Sequence, residues 1–166
     1  MKKIGALSDT HGYLDEGLLK FLEGCDEIWH AGDIGNQAIL QKLEEQASVR
    51  AVYGNIDGRD IRLQCPEIQS FECESMRILI THIGGKPGRY DQGIREQIRR
   101  IRPDVFMCGH SHILRVEYDR HPGMLYINPG AAGKTGFHKV RTAVRFELDE
   151  KDIRNMEVYE VDRNRH

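Results

Sequence analysis

Over residues 4–53, short apolar runs alternate with helical stripes, and few folds can accommodate that alternation. Residues 4–7 read as a buried strand. Leu14, Leu18, Phe21 and Leu22 then recur at i, i+4, i+7 and i+8, the stripe of an amphipathic helix that stops at Gly24. A strand at 27–31, a helix marked by Ile39, Leu40 and Leu43, and a strand at 49–53 repeat the pattern. Strands and helices in this order, with short connections, imply parallel pairing through right-handed crossovers.

The pattern then changes. Residues 68–73 and 77–81 are apolar runs separated by Glu74-Ser75-Met76, which predicts a hairpin. Ile94, Ile98 and Ile101 mark a third helix that Pro103 ends, and 104–108 reads as another buried strand. Four more strands are expected at 114–118, 124–127, 142–148 and 155–161, divided by His121-Pro122-Gly123, Asn128-Pro129-Gly130 and Asp149-Glu150. The expected fold class is α/β, with two packed mixed sheets flanked by helices. At 166 residues, without a repeat or linker, residues 1–166 are expected to form one domain.

Hydrophobic residues at 39% can supply a core, and a net charge of -2 gives no global basic field for nucleic acid or anionic membrane. A nucleic-acid partner would need a local basic patch. Arg95, Arg99, Arg100 and Arg102 supply a basic run. Asp91–Arg95 and Glu96–Arg100 pairing on a solvated helix face accounts for it. The run at 4–7 is too short for a signal sequence, and no stretch is long enough to span a bilayer. Cys25, Cys65, Cys73 and Cys108 lack a C-x-x-C spacing, so reduced thiols and a cytoplasmic location are expected.

The chemistry lies where the metal-capable side chains fall. Asp9 and His11 follow the first strand, Asp33 the second and Asn55 the third. His82 follows the hairpin, and His110 and His112 follow the strand at 104–108. In open α/β sheets the carboxyl ends of strands are where ligand sites form. Gly12, Gly32, Gly54, Gly84 and Gly109 lie nearby and permit close backbone approach. Imidazoles, carboxylates and an amide without thiolate suit Zn, Mn, Fe, Ni or Co.

The segments Asp9-Thr10-His11, Gly32-Asp33, Gly54-Asn55, Thr81-His82 and Gly109-His110-Ser111-His112 resemble, in order, the signature blocks of calcineurin-like metallophosphoesterases. Leu7-Ser8-Asp9-Thr10-His11-Gly12 and Asn128-Pro129-Gly130 resemble its small bacterial and archaeal phosphodiesterase branch, to which a eukaryotic retromer subunit is related. The resemblance implies an α/β/β/α sandwich and two divalent metals. Asp9, His11 and His112 would hold one, Asn55, His82 and His110 the other, and Asp33 would bridge them. It implies a phosphodiesterase in which a hydroxide shared by the metals attacks phosphorus, with a small phosphate ester as substrate and Asp33, Asn55 and His110 at the reacting centre. The retromer relative implies a rival reading, a non-catalytic protein-interaction scaffold on the same fold.

Related protein phosphatases carry a histidine after the asparagine of the third block, where this chain has Ile56. Asp57 is the nearest alternative acid, or else it orients or caps the loop. Asn128 is expected to support the metal residues or contact substrate. Ser8 and Thr10 either support Asp9 or serve the loop. His30 reads as a structural histidine, His121 as solvated, and His138 as a surface residue within reach of the site.

Overall fold

The apolar run at 4–7 becomes the buried part of β1 (Lys2–Leu7) in the computed structural model, which describes residues 1–165. His166 lies outside the described residues. The chain continues through α1 (Glu16–Phe21), β2 (Glu27–His30), α2 (Gln37–Glu44), β3 (Ser48–Ala51) and α3 (Arg59–Gln64). Asp15 caps α1, its carboxylate accepting from the Leu18 amide at 2.6 Å, and so starts the helix at Glu16, two residues after Leu14. Next come β4 (Ile68–Cys73), β5 (Met76–Thr81), β6 (Gly85–Lys86), β7 (Arg89–Tyr90) and α4 (Gln92–Ile101). The chain ends with β8 (Val105–Met107), β9 (Leu114–Asp119), β10 (Met124–Pro129), β11 (Val140–Asp149) and β12 (Asp152–Asp162). Arg102 closes α4 in a left-handed conformation immediately before Pro103.

Two five-stranded mixed sheets form, in the orders β12-β11-β1-β2-β3 and β4-β5-β8-β10-β9. β1, β2 and β3 pair in parallel, as the alternation predicts. β4 and β5 form the expected hairpin, with Met76 already in the second strand and Glu74 in the turn at φ 55°. β1 is antiparallel to β11, which brings the last two strands, β11 and β12, onto the first sheet. The inner faces share one apolar cluster: Ile4, Ala6, Trp29 and Val144 from one sheet pack with Ile78, Ile80, Val105 and Ile127 from the other. The helices cover the outer faces: Leu18, Leu40 and Ile61 cluster with Leu7 and Ile28, while Ile98 clusters with Leu79 and Phe106.

Three features were not anticipated. The helix α3 and the β6–β7 hairpin lie in segments without apolar periodicity. On α4, Asp91–Arg95 and Glu96–Arg100 do not form ion pairs among the described residues; Arg100 instead donates to Gln97 at 2.5 Å. No helix is long and apolar enough to cross a membrane among the described residues.

Candidate metal centre

The ends of β1, β2 and β8 deliver their side chains through left-handed backbone, and β5 delivers His82 without it. Asp9 (φ 55°), His11 (46°), Asp33 (55°), His110 (71°) and His112 (64°) all adopt it. Each such non-glycine residue costs about 1–3 kcal/mol and persists only where its surroundings hold it. The turns double back, and residues remote in sequence converge.

Asp9, His11 and His112 present one ligand atom each, all within 4.8 Å of one another, and Asp33, His82 and His110 do the same. The two groups meet at Asp33, whose Oδ2 lies 3.5 Å from His11 Nε2 and 3.2 Å from His82 Nε2. Asp9 Oδ1 lies 3.2 Å from His112 Nε2 and 4.0 Å from His82 Nε2. Asn55 is exposed on the loop after β3 and lines one cleft with His82. The structure therefore brings six of the seven predicted residues into two touching groups and sets the seventh on an adjoining wall.

The tautomer of His82 tests whether cations fit here. His82 Nδ1 lies 2.7 Å from the carbonyl oxygen of Ala31, which can only accept, so Nδ1 carries the proton. In a neutral ring Nε2 is then a bare lone pair, buried, facing the Asp33 carboxylate and without a well-directed hydrogen bond. His11 Nε2 is buried without a partner as well. Lone pairs facing carboxylates in a buried pocket repel one another unless a cation lies between them. Burial lowers the pKa of His82, but Asp33 and Asp9 outweigh it and raise the value. Burial likewise opposes ionisation of Asp9 and Asp33. Contacts chiefly with His112 for Asp9 and His82 for Asp33 nonetheless hold both below the usual carboxylate range. A nitrogen and oxygen donor set of this charge fits a pair of divalent cations.

Surrounding groups fix the donors. Ser8 Oγ donates to Asp9 Oδ2 at 2.6 Å and the His110 amide donates to the same oxygen at 3.1 Å, leaving Oδ1 to the pocket. The Ile56 amide donates to Asp33 Oδ1 at 3.1 Å, leaving Oδ2 free. A Cβ on Gly109 would stand 2.1 Å from Ser8 Oγ and 2.7 Å from Asp9 Oδ2, so only glycine admits this approach. Asn128 is buried and fully committed. Its amide donates to Gly109 O and Ser111 Oγ, and its oxygen accepts from the Gly130 amide. It braces the His110–His112 loop from a buried position.

Two expectations need correction. Asp57, named as an alternative acid, accepts from the amides of Ile34, Gly35 and Gly54 at 3.1, 2.9 and 2.8 Å. Both oxygens are occupied, so it ties the loops after β2 and β3 together and does not act as the acid. His138 is a half-buried residue, not a surface one. Its Nε2 donates to Gly133 O at 2.7 Å, and its ring packs edge-on against His112 with centroids 5.0 Å apart. The sequence reading missed Arg62 altogether. Its Nε donates to Asp57 O at 2.7 Å and its guanidinium covers Tyr53, pinning the Asn55 loop from α3.

His30 is structural, as expected. Thr10 Oγ1 donates to Ile34 O, so His30 Nε2 donates to Thr10, while His30 Nδ1 accepts from the Gly32 amide. Burial pushes its pKa from 6.5 down to about 4. The unfolded chain regains the ordinary value and binds the extra proton between those limits. Stability contributed here is therefore lost as pH falls from 6.5 towards 4, by about 3 kcal/mol in all. Urea unfolding of the wild type and His30→Gln at pH 7 and pH 4.5 checks this. A stability difference between the two proteins that does not change with pH would refute it.

Comparison with known proteins agrees with this geometry. The profile described as a calcineurin-like phosphoesterase superfamily domain matches residues 1–151. A protein of Methanothermobacter thermautotrophicus named "Probable metallophosphoesterase" is 33% identical over 135 residues, 77% of this chain and 76% of its own. A structure titled as a novel archaeal phosphodiesterase superposes with a TM-score of 0.72 at 25% identity, over 95% of this chain and 99% of that one. Wild-type Vps29 of Entamoeba histolytica, solved in complex with zinc, has the same fold. Its TM-score is 0.74 at 17% identity, over 98% of this chain and 99% of its own. With the superfamily profile spanning most of its length, this chain belongs to the calcineurin-like phosphoesterase superfamily.

Proposed function

We propose that this chain is a phosphodiesterase that works with two divalent ions. The observation carrying the proposal is the pair of buried, unpartnered imidazole nitrogens on His11 and His82, both facing Asp33. Asp9, His11 and His112 would hold one ion and Asn55, His82 and His110 the other, with Asp33 between. Manganese, nickel, cobalt, iron and zinc all suit these donors. The similarity to a titled phosphodiesterase and to a zinc-complexed Vps29 supports the reading. When bound, such ions acidify a water towards a pKa of roughly 7 and offset charge developing on the phosphoryl oxygens.

The protein's own part is to keep the donors in register. Ser8 and the His110 amide turn Asp9, the Ala31 carbonyl fixes the His82 tautomer, and Asp57 joins the loops carrying Asp33 and Asn55. A Vps29 of the same fold also binds zinc, so hydrolysis by the metal-loaded protein, not metal binding alone, separates this reading from a non-catalytic scaffold.

Protonation of the leaving oxygen is the step the chain does not provide for. Ile56 is 48% exposed beside Asn55 and has no proton to give, and Asp57 is occupied by backbone amides. Aryl leaving groups need little protonation and alkyl ones need much. Manganese-loaded protein is expected to hydrolyse bis(p-nitrophenyl) phosphate at least about 10²-fold faster than a dialkyl phosphate, the scale of one general acid. Chelation should abolish both activities, and manganese should restore them. Hydrolysis that survives complete removal of metal would exclude the proposal. Equal rates on aryl and alkyl esters, with chemistry limiting, would show that a proton donor exists.

A further inference from the structure

The β6–β7 hairpin sets Lys86 directly opposite Arg89. Like charges facing each other across a strand pair repel. Among the described residues neither has a carboxylate partner within 4.0 Å. The hairpin is anchored at both ends. Gly85 O accepts from Tyr126 Oη at 2.7 Å, the Asp91 amide donates to Gly84 O at 3.3 Å, and Tyr90 Oη donates to Asp119 at 2.7 Å. The strands cannot simply separate to relieve the repulsion. An anion between the two side chains would relieve it.

The surroundings indicate which anion. Lys86 and Arg89 line a cleft of about 440 Å³ together with Arg115, Ser111, Ile113 and Tyr126. Ser111 stands between His110 and His112 in sequence, so one wall of this cleft belongs to the loop that carries two of the metal-capable histidines. Arg115 is already paired with Glu117 at 2.6 Å and contributes less, and Asp91 also lines the cleft. Two uncommitted cations within such a volume suit one compact anion and the short group connecting it to the reacting phosphorus. A nucleic-acid strand would need a longer basic track, and the chain carries a net charge of -2.

We infer that this cleft is a subsite for a second anionic group, so that the preferred substrate is a phosphodiester bearing a further phosphate. The inference rests on the phosphodiesterase reading above. A charge-assisted contact from each cation gives about a tenfold advantage to the doubly anionic ester.

The test compares thymidine 5′-(p-nitrophenyl phosphate) with its 3′-phosphorylated form on manganese-loaded protein. Wild type should show about a tenfold lower KM for the 3′-phosphorylated ester. Lys86→Gln with Arg89→Gln should bring the ratio of the two KM values close to one, and Lys86→Arg with Arg89→Lys should retain it. Turnover of both esters at equal KM in wild type would overturn the subsite and leave the hydrolytic reading standing. So would a ratio that survives the glutamine variant. Calorimetric binding of thymidine 3′,5′-bisphosphate against thymidine 5′-monophosphate gives a readout independent of turnover. If neither ester is cleaved, yet the bisphosphate binds tighter through Lys86 and Arg89, the subsite stands and the hydrolytic reading fails. An oligonucleotide that binds through these residues while the bisphosphate shows no advantage would overturn the inference in favour of a nucleic-acid ligand.

Discussion

Asp33→Asn is expected to reduce kcat/KM on an aryl phosphodiester by at least about 10³-fold and to leave the protein unable to hold two ions together. Among the described residues, Asp33 has the one carboxylate within 3.5 Å of imidazoles from both clusters. An amide of the same size keeps the acceptor for the Ile56 amide but removes the charge between the two sites. Losing that charge removes several kcal/mol of electrostatic stabilisation, at roughly tenfold per 1.36 kcal/mol. Metal binding by the wild type should stabilise the fold by about 4 kcal/mol at a thousandfold excess over Kd. For a chain of this size that raises Tm by roughly 8–16 °C. The variant should lose most of that rise. Elemental analysis and paired melting curves check both halves. A variant that retains two ions and wild-type turnover would remove Asp33 from the centre.

The seven metal-capable residues were legible because their positions depend on local signals: a short apolar run, then a polar residue beside glycine. β1 and β2 hold buried runs, and a run of that kind identifies its own carboxyl end, while β3 is buried only at Ala51, where it stops. Elsewhere the signal is absent for physical reasons. α3 buries only Ile61, so no apolar stripe marks it, yet it carries the Arg62 that pins the Asn55 loop. β6 and β7 are two residues each and mostly exposed, and two residues cannot display a period. The packing of His138 on His112 is a long-range contact with no local signature. A strand's alternation shows which face it buries but not which strand it joins. The pairing of β11 with β1 was therefore not readable, although β11 itself was. Asp57 had two readings in the sequence, and only the three amides around it decide between them.

Gly54→Ala should damage both stability and the candidate metal centre. An alanine Cβ there would stand 2.0 Å from Asp33 Oδ1 and 2.3 Å from the Asp33 backbone nitrogen. A flexible side chain could swing clear, but backbone cannot, so the loop after β3 or the loop after β2 must shift. Asp57 resists that movement because it holds both loops, through Gly54 on one side and Ile34 and Gly35 on the other. The clash is therefore expected to cost about 1–3 kcal/mol of stability, as overpacking does. Asp33 and Asn55 would also be displaced relative to each other. A misplacement near 1 Å costs roughly 10²-fold in rate, and loss of the Asp57 contacts should deepen that. Gly58, four residues along, is the control. A Cβ there meets nothing within 4 Å, so Gly58→Ala should change stability by less than about 1 kcal/mol and leave metal content intact. Urea midpoints, metal content and kcat/KM for the two alanine variants decide the matter. If Gly54→Ala behaved like Gly58→Ala on all three, the close packing of the β3 loop on Asp33 would not be what holds that carboxylate in place.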